Sequence, residues 1–143
     1  MKKIHGLIEK KGKLLIAIEN QLGLKYFAGC KEDHTGEFFD GVEGYPRLNG
    51  IRTFSKLKLK DYLENNGFCN VEFYYPYPDY KFPTTIYSDR YLPTKGELNK
   101  NIRNFDMDRL VLFDENKAFD TIIEAGLFGE FSNSFFVTAE RED

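Results

Sequence analysis

Three short stretches of this chain hold side chains suited to chemistry. Glu32-Asp33-His34 sets a histidine directly after two carboxylates, with Tyr26 and Phe27 shortly before it. An imidazole titrates near neutrality and a neighbouring acid can orient its ring, so His34 with Asp33 is a candidate general base. The alternative is a histidine simply exposed in a polar loop, because adjacent residues need not face each other. Glu19-Asn20 closes an apolar run and forms a second candidate pair, able to point into a cleft beyond a strand end. Alternatively, Asn20 caps the next turn and Glu19 is solvated or paired with a lysine. The third stretch, Tyr74-Tyr75-Pro76-Tyr77-Pro78-Asp79-Tyr80, is the densest aromatic cluster. Rings such as Tyr77 and Tyr80 stack on the apolar faces of sugars while Asp79 accepts from hydroxyls. The same rings can close a core or meet a partner chain. Arg52, Arg90 and Arg103 are candidate contacts for a diphosphate.

These residues need elements to hold them. Residues 4–11 read as the last turns of a helix running into the turn Lys11-Gly12. Five uninterrupted apolar residues, 14–18, then predict a strand over 13–19 that is covered on both faces and lies inside a sheet. Residues 20–53 show no sustained period and form a long structured loop, since their aromatic content argues against disorder. Ser55 as N-cap, Leu59, Tyr62 and Leu63 at helical spacing, and Gly67 as terminator predict a helix over 56–66. Alternation of Val71, Phe73 and Tyr75 with Glu72 and Tyr74 predicts a strand over 70–76. Residues 76–110, with Pro76, Pro78, Pro83 and Pro93, form a second irregular insertion. Asp114 caps a second helix that turns Phe119, Ile122 and Ile123 inward and ends at Gly126. A strand over 134–139 precedes a charged exit. The fold expected is α/β: a small three-stranded mixed sheet, two or more helices and two long insertions in a single domain of 143 residues.

Composition narrows the function. The net charge is −3 with both signs interleaved, so no basic stripe invites nucleic acid. No apolar run approaches the roughly 18 residues needed to span a bilayer, and the first residues do not read as a secretory signal. Cys30 and Cys69 form no CxxC pair, and His5 and His34 are the only histidines. That set predicts no metal site and two reduced thiols in a cytoplasmic protein.

The segments GKLLIAIENQLGLKYFAG, EDHTGEFFDGVEGY, RTFSKLKLKDYLENNGF, YYPYPDYKFPTTIYSD and FSNSFFVTAE carry a resemblance over residues 6–140. They resemble the C-terminal half of class I S-adenosylmethionine-dependent methyltransferases of bacterial cell-surface polysaccharide biosynthesis, some fused to glycosyltransferase modules. The resemblance implies a last strand inserted antiparallel between two earlier ones. It also implies methyl transfer to a sugar hydroxyl with His34 as base, Asp33 beside it, and Glu19, Asn20, Tyr26, Tyr77, Asp79 and Tyr80 toward a saccharide. It further implies a donor site in an N-terminal half that this sequence does not contain. No G-x-G-x-x-G occurs, and Gly41-Val42-Glu43-Gly44 is a spaced glycine pair within a loop. The expectation is therefore that S-adenosylmethionine is not bound by this chain alone, and is bound only if a partner half completes it. Alone the chain is expected to be inactive. The alternatives are a non-catalytic saccharide- or protein-binding assembly module and one half of a split enzyme. Residues 13–19, with an unpaired edge, predict a homo-oligomer unless another segment covers them.

Overall fold

The computed structural model describes residues 1–46, 50–99 and 109–142, without the Lys2 side chain. Its elements in chain order are α1 (Lys2–Leu7), β1 (Lys13–Glu19), α2 (Leu24–Phe27), α3 (Lys56–Glu64), β2 (Phe68–Tyr77), β3 (Thr85–Ser88), α4 (Glu115–Glu124), α5 (Phe128–Phe131) and β4 (Ser134–Arg141). The four strands form one sheet in the order β1-β4-β2-β3, and every neighbouring pair is antiparallel.

The class is α/β as expected, but the sheet is neither three-stranded nor mixed. The extra strand is β3, inside the segment expected to be irregular. Four residues after a proline-rich stretch give too short a period to read, yet they pair with the aromatic end of β2 from Tyr74 to Tyr77. β4 lies between β1 and β2, antiparallel to both, so β1 and β2 run parallel without touching. Their carboxyl ends therefore meet at one end of the sheet, beside the amino end of β4.

β1 is a strand with the expected boundaries but lies at the margin of the sheet, not inside it. Its exposure alternates, and Leu15 is 60% exposed. The apolar run misled because Leu14, Ile16 and Ile18 alone turn toward the core, while Lys13, Leu15 and Ala17 face the open side. A strand of this kind obeys period two even when both of its faces carry apolar residues.

The helix signals translate directly into structure. The Ser55 hydroxyl accepts from Lys58 N–H (3.5 Å), and the Asp114 carboxylate accepts from Asn116 N–H (3.0 Å). Gly67 and Gly126 take φ of +82° and +72° just past their helices, the left-handed conformation in which a Cβ is costly. Leu59 and Leu63 of α3 and Phe119 of α4 are buried on one face of the sheet against Phe73, Tyr75, Phe135 and Val137. Edge-to-face pairs set the ring geometry there, Phe73 with Phe135 at 5.3 Å and Tyr75 with Phe128 at 5.6 Å. The two loops are anchored rather than loose. Residue 54 forms a parallel bridge to Asn20, and Leu110 and Leu112 N–H donate to Gly29 and Ala28 carbonyls.

Candidate functional site

The carboxyl ends of β1 and β2 bring five of the sequence candidates together. Glu19 ends β1, Asp79 and Tyr80 follow β2, and Tyr26 and Asp33 come from α2 and the turn after it. Two lysines that the sequence reading did not select tie them into one cluster. The Lys25 ammonium lies 3.3 Å from Asp33 Oδ2 and 3.2 Å from Asp79 Oδ2, with its side chain only 3% exposed. Lys81 lies 3.6 Å from Asp33 Oδ1 and 3.8 Å from Glu19 Oε1. Tyr26 Oη donates to Asp33 Oδ2 (2.6 Å), and Tyr80 Oη donates to Glu19 Oε1 (3.1 Å).

The backbone around these groups is pinned from below. Tyr80 N–H donates to Ser134 Oγ (2.9 Å), and Lys81 N–H donates to Asp79 Oδ1 (3.0 Å). Asn133 reaches both loops: its Oδ1 accepts from Lys25 N–H (2.9 Å), and its Nδ2 donates to the Pro78 carbonyl (3.2 Å). Asn20 is fully buried. It donates to the Glu130 and Ser132 carbonyls, both at 2.8 Å, and accepts from Leu22 N–H (3.0 Å). Its amide thus holds the chain crossing at the strand end, close to the capping role considered for it. Gly23 permits the same close approach, since a Cβ there would stand 3.1 Å from the Asn133 backbone.

Charge decides what the cluster can do. Burial pulls the Lys25 ammonium down, but Asp79 and Asp33 outweigh it and hold its pKa above the ordinary lysine value. For Asp33 burial pushes up, yet Lys25, the Tyr26 hydroxyl and Lys81 prevail and hold the carboxyl below its usual range. Burial and the nearby Asp33 carboxylate push Tyr26 far up, and burial with Glu19 pushes Tyr80 up to about 12. At neutral pH both phenols are therefore neutral hydrogen-bond donors. A carboxylate held this strongly in its ionised form is a poor proton acceptor. The arrangement suits binding and orienting a polar ligand better than deprotonating one.

The remaining candidates lie elsewhere. His34 is exposed, and Asp33 makes its contacts with Lys25, Tyr26 and Lys81. The His34 backbone N–H donates to Glu32 Oε2 (2.7 Å), which also accepts from Thr35 N–H (2.8 Å). Buried Glu32 is bonded in turn by Tyr45 Oη (3.1 Å), so this carboxylate organises the turn that presents Asp33 and His34. Tyr77 is buried in the core, with its ring nearly perpendicular to that of Phe119. Arg52 is exposed, Arg90 pairs with Glu72 (3.3 Å) at the surface, and Arg103 lies outside the described residues. Cys30 is buried, with its Sγ 3.4 Å from the Lys31 carbonyl, and Cys69 is half-buried. Among the described residues no group of three or more His, Cys, Asp or Glu is placed to hold a metal ion.

Lys25 and Lys81 carried a weak sequence signal. Lys25 sits between the apolar residues Leu24 and Tyr26, both buried, and a lysine in such company needs counterions. No family model, no curated protein and no solved structure matches this chain.

Proposed function

We propose that this chain is the substrate-side part of a methyltransferase-like protein of cell-surface polysaccharide biosynthesis, and that the cluster at the ends of β1 and β2 holds the saccharide. The observation that carries this reading is the convergence of Glu19, Asp33, Asp79, Tyr80 and Lys81 at one end of the sheet, past the last residues of β1 and β2. Carboxylate oxygens and the Tyr80 phenol oxygen there can accept from hydroxyls, the Tyr80 proton being held by Glu19, and Lys81, 36% exposed, leaves the cluster open to solvent on one side. The insertion of β4 antiparallel between β1 and β2 also supports the reading, since the methyltransferase resemblance implies that strand placement.

The lack, among the described residues, of a glycine-rich turn between a strand and a helix supports a reading in which these residues do not hold the methyl donor. The spaced glycines at 41 and 44 lie in a turn, not between a strand and a helix, and a Cβ at Gly41 would stand 3.2 Å from Tyr45 Oη and 3.4 Å from Glu32 Cγ. The space beside Gly41 is thus taken by Tyr45 and Glu32, whereas Gly44 faces open space. We therefore assign S-adenosylmethionine to a partner half and the acceptor sugar to this chain, which alone is inactive. We place it in the cytoplasm, in keeping with two cysteines that carry no CxxC spacing. Among the described residues no helix is long and apolar enough to cross a membrane.

A second reading, a non-catalytic saccharide-binding module, is favoured by one observation: the ion-paired Asp33 is a poor base and His34 stands in solvent. Calorimetric titration separates the two. Neutral saccharides should bind the chain, with affinity falling about tenfold in Asp79→Asn and in Tyr80→Phe, as for loss of one hydrogen bond to a charged or buried group. Binding indifferent to both substitutions refutes the site. Turnover restored by adding a donor-binding polypeptide favours the enzyme, and binding without turnover in that mixture favours the module.

A further inference from the structure

Among the described residues β1 bonds to β4 on one side and leaves its other edge open. Two hydrogen bonds fix which groups that edge presents. Arg141 N–H donates to the Gly12 carbonyl (2.9 Å), and Asn20 N–H donates to the Asn133 carbonyl (3.0 Å). Antiparallel ladders alternate between bonded and non-bonded pairs. The bonded pairs between these two therefore fall on Leu14, Ile16 and Ile18, opposite Ala139, Val137 and Phe135. The N–H and C=O groups of Lys13, Leu15 and Ala17 consequently point away from β4, toward the open edge.

Both ends of this edge are closed by the chain itself. Past Ile18, Gln21 N–H donates to the Phe54 carbonyl (3.1 Å), and Phe54 bridges Asn20 in parallel. Before Gly12, Lys11 has φ of +60° and turns the chain off the strand line. The free stretch is 12–18, and its midpoint is Leu15, whose side chain is 60% exposed. The opposite margin of the sheet differs. β3 has four residues, and Ser88 and Tyr91 close its end by exchanging backbone hydrogen bonds at 3.0 Å.

We propose that a second copy of this chain occupies the β1 edge, paired antiparallel about a two-fold axis at Leu15, so that two four-stranded sheets join into one. In this register Lys13 stands opposite Ala17 of the second copy and Leu15 opposite its own equivalent. All three outward residues of each copy then lie in hydrogen-bonded pairs, and none of their groups is left over. A one-residue shift sets bonding positions against non-bonding ones. Moving the axis to Ile16 drives the second copy into Phe54, and moving it to Leu14 wastes Ala17 on the turn at Lys11. The edge is thus its own complement, as an isologous interface requires. The two exposed Leu15 side chains cover each other on the open face. The two Lys13 residues stand four positions apart along the strand, about 14 Å at ~3.4 Å per residue, so their repulsion is screened. An edge without a bulge or proline, with Lys13 as the one charged side chain among its outward residues, is open to pairing.

Light scattering on the full chain and on variants tests this without any saccharide, so the outcome is independent of the ligand reading. The chain should have twice its monomer mass. Ala17→Pro removes an outward donor and leaves the bonded pairs to β4 intact, so it should halve the mass while keeping the circular dichroism spectrum. Leu15→Cys, in a Cys69→Ser background, should form an intermolecular disulfide on mild oxidation. Its Cα separation in a bonded pair is about 5.5 Å, within disulfide reach. Lys13→Cys in the same background should stay uncrosslinked. A monomeric wild-type chain overturns the proposal, as does a dimer whose mass survives a folded Ala17→Pro. If Ala17→Pro does not fold, the cysteine pair decides: failure of Leu15→Cys to crosslink, or crosslinking at Lys13→Cys instead, overturns it.

Discussion

Replacing Lys25 by methionine is the sharpest perturbation of the polar cluster, because methionine keeps an unbranched apolar stem of nearly the same length and removes the ammonium with its hydrogen bonds. The ammonium sits 3.3 Å and 3.2 Å from two carboxylate oxygens. At an effective dielectric near 20, each such pair attracts by about 5 kcal/mol before the cost of desolvating the charges. Breaking a fully buried pair by removing one partner costs about 3–5 kcal/mol. Asp33 and Asp79 keep 14% and 20% of their side chains exposed, so part of that penalty is screened. The expected loss is about 2–3 kcal/mol, which for a domain of this size lowers Tm by about 6–10 °C. Urea denaturation at neutral pH measures it, with a double-mutant cycle to Asp33→Asn isolating the pair. The pH dependence carries a second signature. Asp33 has a lowered pKa in the folded state, so its stabilisation is complete above the ordinary aspartate value of 3.8 and disappears as pH falls through the lowered one. Lys25 has a raised pKa, so its contribution holds below 10.5 and is lost as pH rises past the raised value. Lys25→Met should therefore flatten both the acid and the alkaline limbs of the stability curve. A cost under about 0.5 kcal/mol, the value of an ordinary surface pair, would refute the reasoning.

Two further changes test the scaffold beneath the cluster. Asn20→Ala removes two hydrogen bonds to the Glu130 and Ser132 carbonyls and one from Leu22 N–H, and should cost about 2–4 kcal/mol in urea unfolding; a loss below 1 kcal/mol would show that water replaces the amide at no penalty. Gly23→Ala forces a methyl to 3.1 Å from the Asn133 backbone and should destabilise by about 1–3 kcal/mol, with amide exchange quickening at Lys25; a neutral result would show that the crossing has slack.

Helices and strands with local signals were legible in the sequence. Ser55, Asp114, Gly67 and Gly126 mark helix ends that depend on nearby residues alone, and the alternation around Phe73 fixes its strand. β3, α2 and α5 were not legible, since four residues make at most one turn or two pairs and owe their form to tertiary neighbours. The placement of β1 at a margin was equally invisible, because edge or interior is set by strands remote in sequence. For the site, Glu19, Tyr26, Asp33, Asp79 and Tyr80 stood out by residue type and by position at strand ends. The lysines did not, because a lysine is normally solvated, and only the convergence of two carboxylates, Asp33 and Asp79, from separated segments explains why Lys25 is buried. The Asp33–His34 pairing failed to form for a local reason: the turn held by Glu32 sends the two adjacent side chains apart.

Whether the junction of the β1 and β2 carboxyl ends holds a saccharide is decided by amide chemical shifts recorded during titration with a neutral oligosaccharide. The resonances of Glu19, Lys25, Asp33 and residues 79–81 should move together and saturate at one concentration. Shifts confined to the open face around Tyr74 and Phe136, or none at all up to saturating sugar, would contradict it.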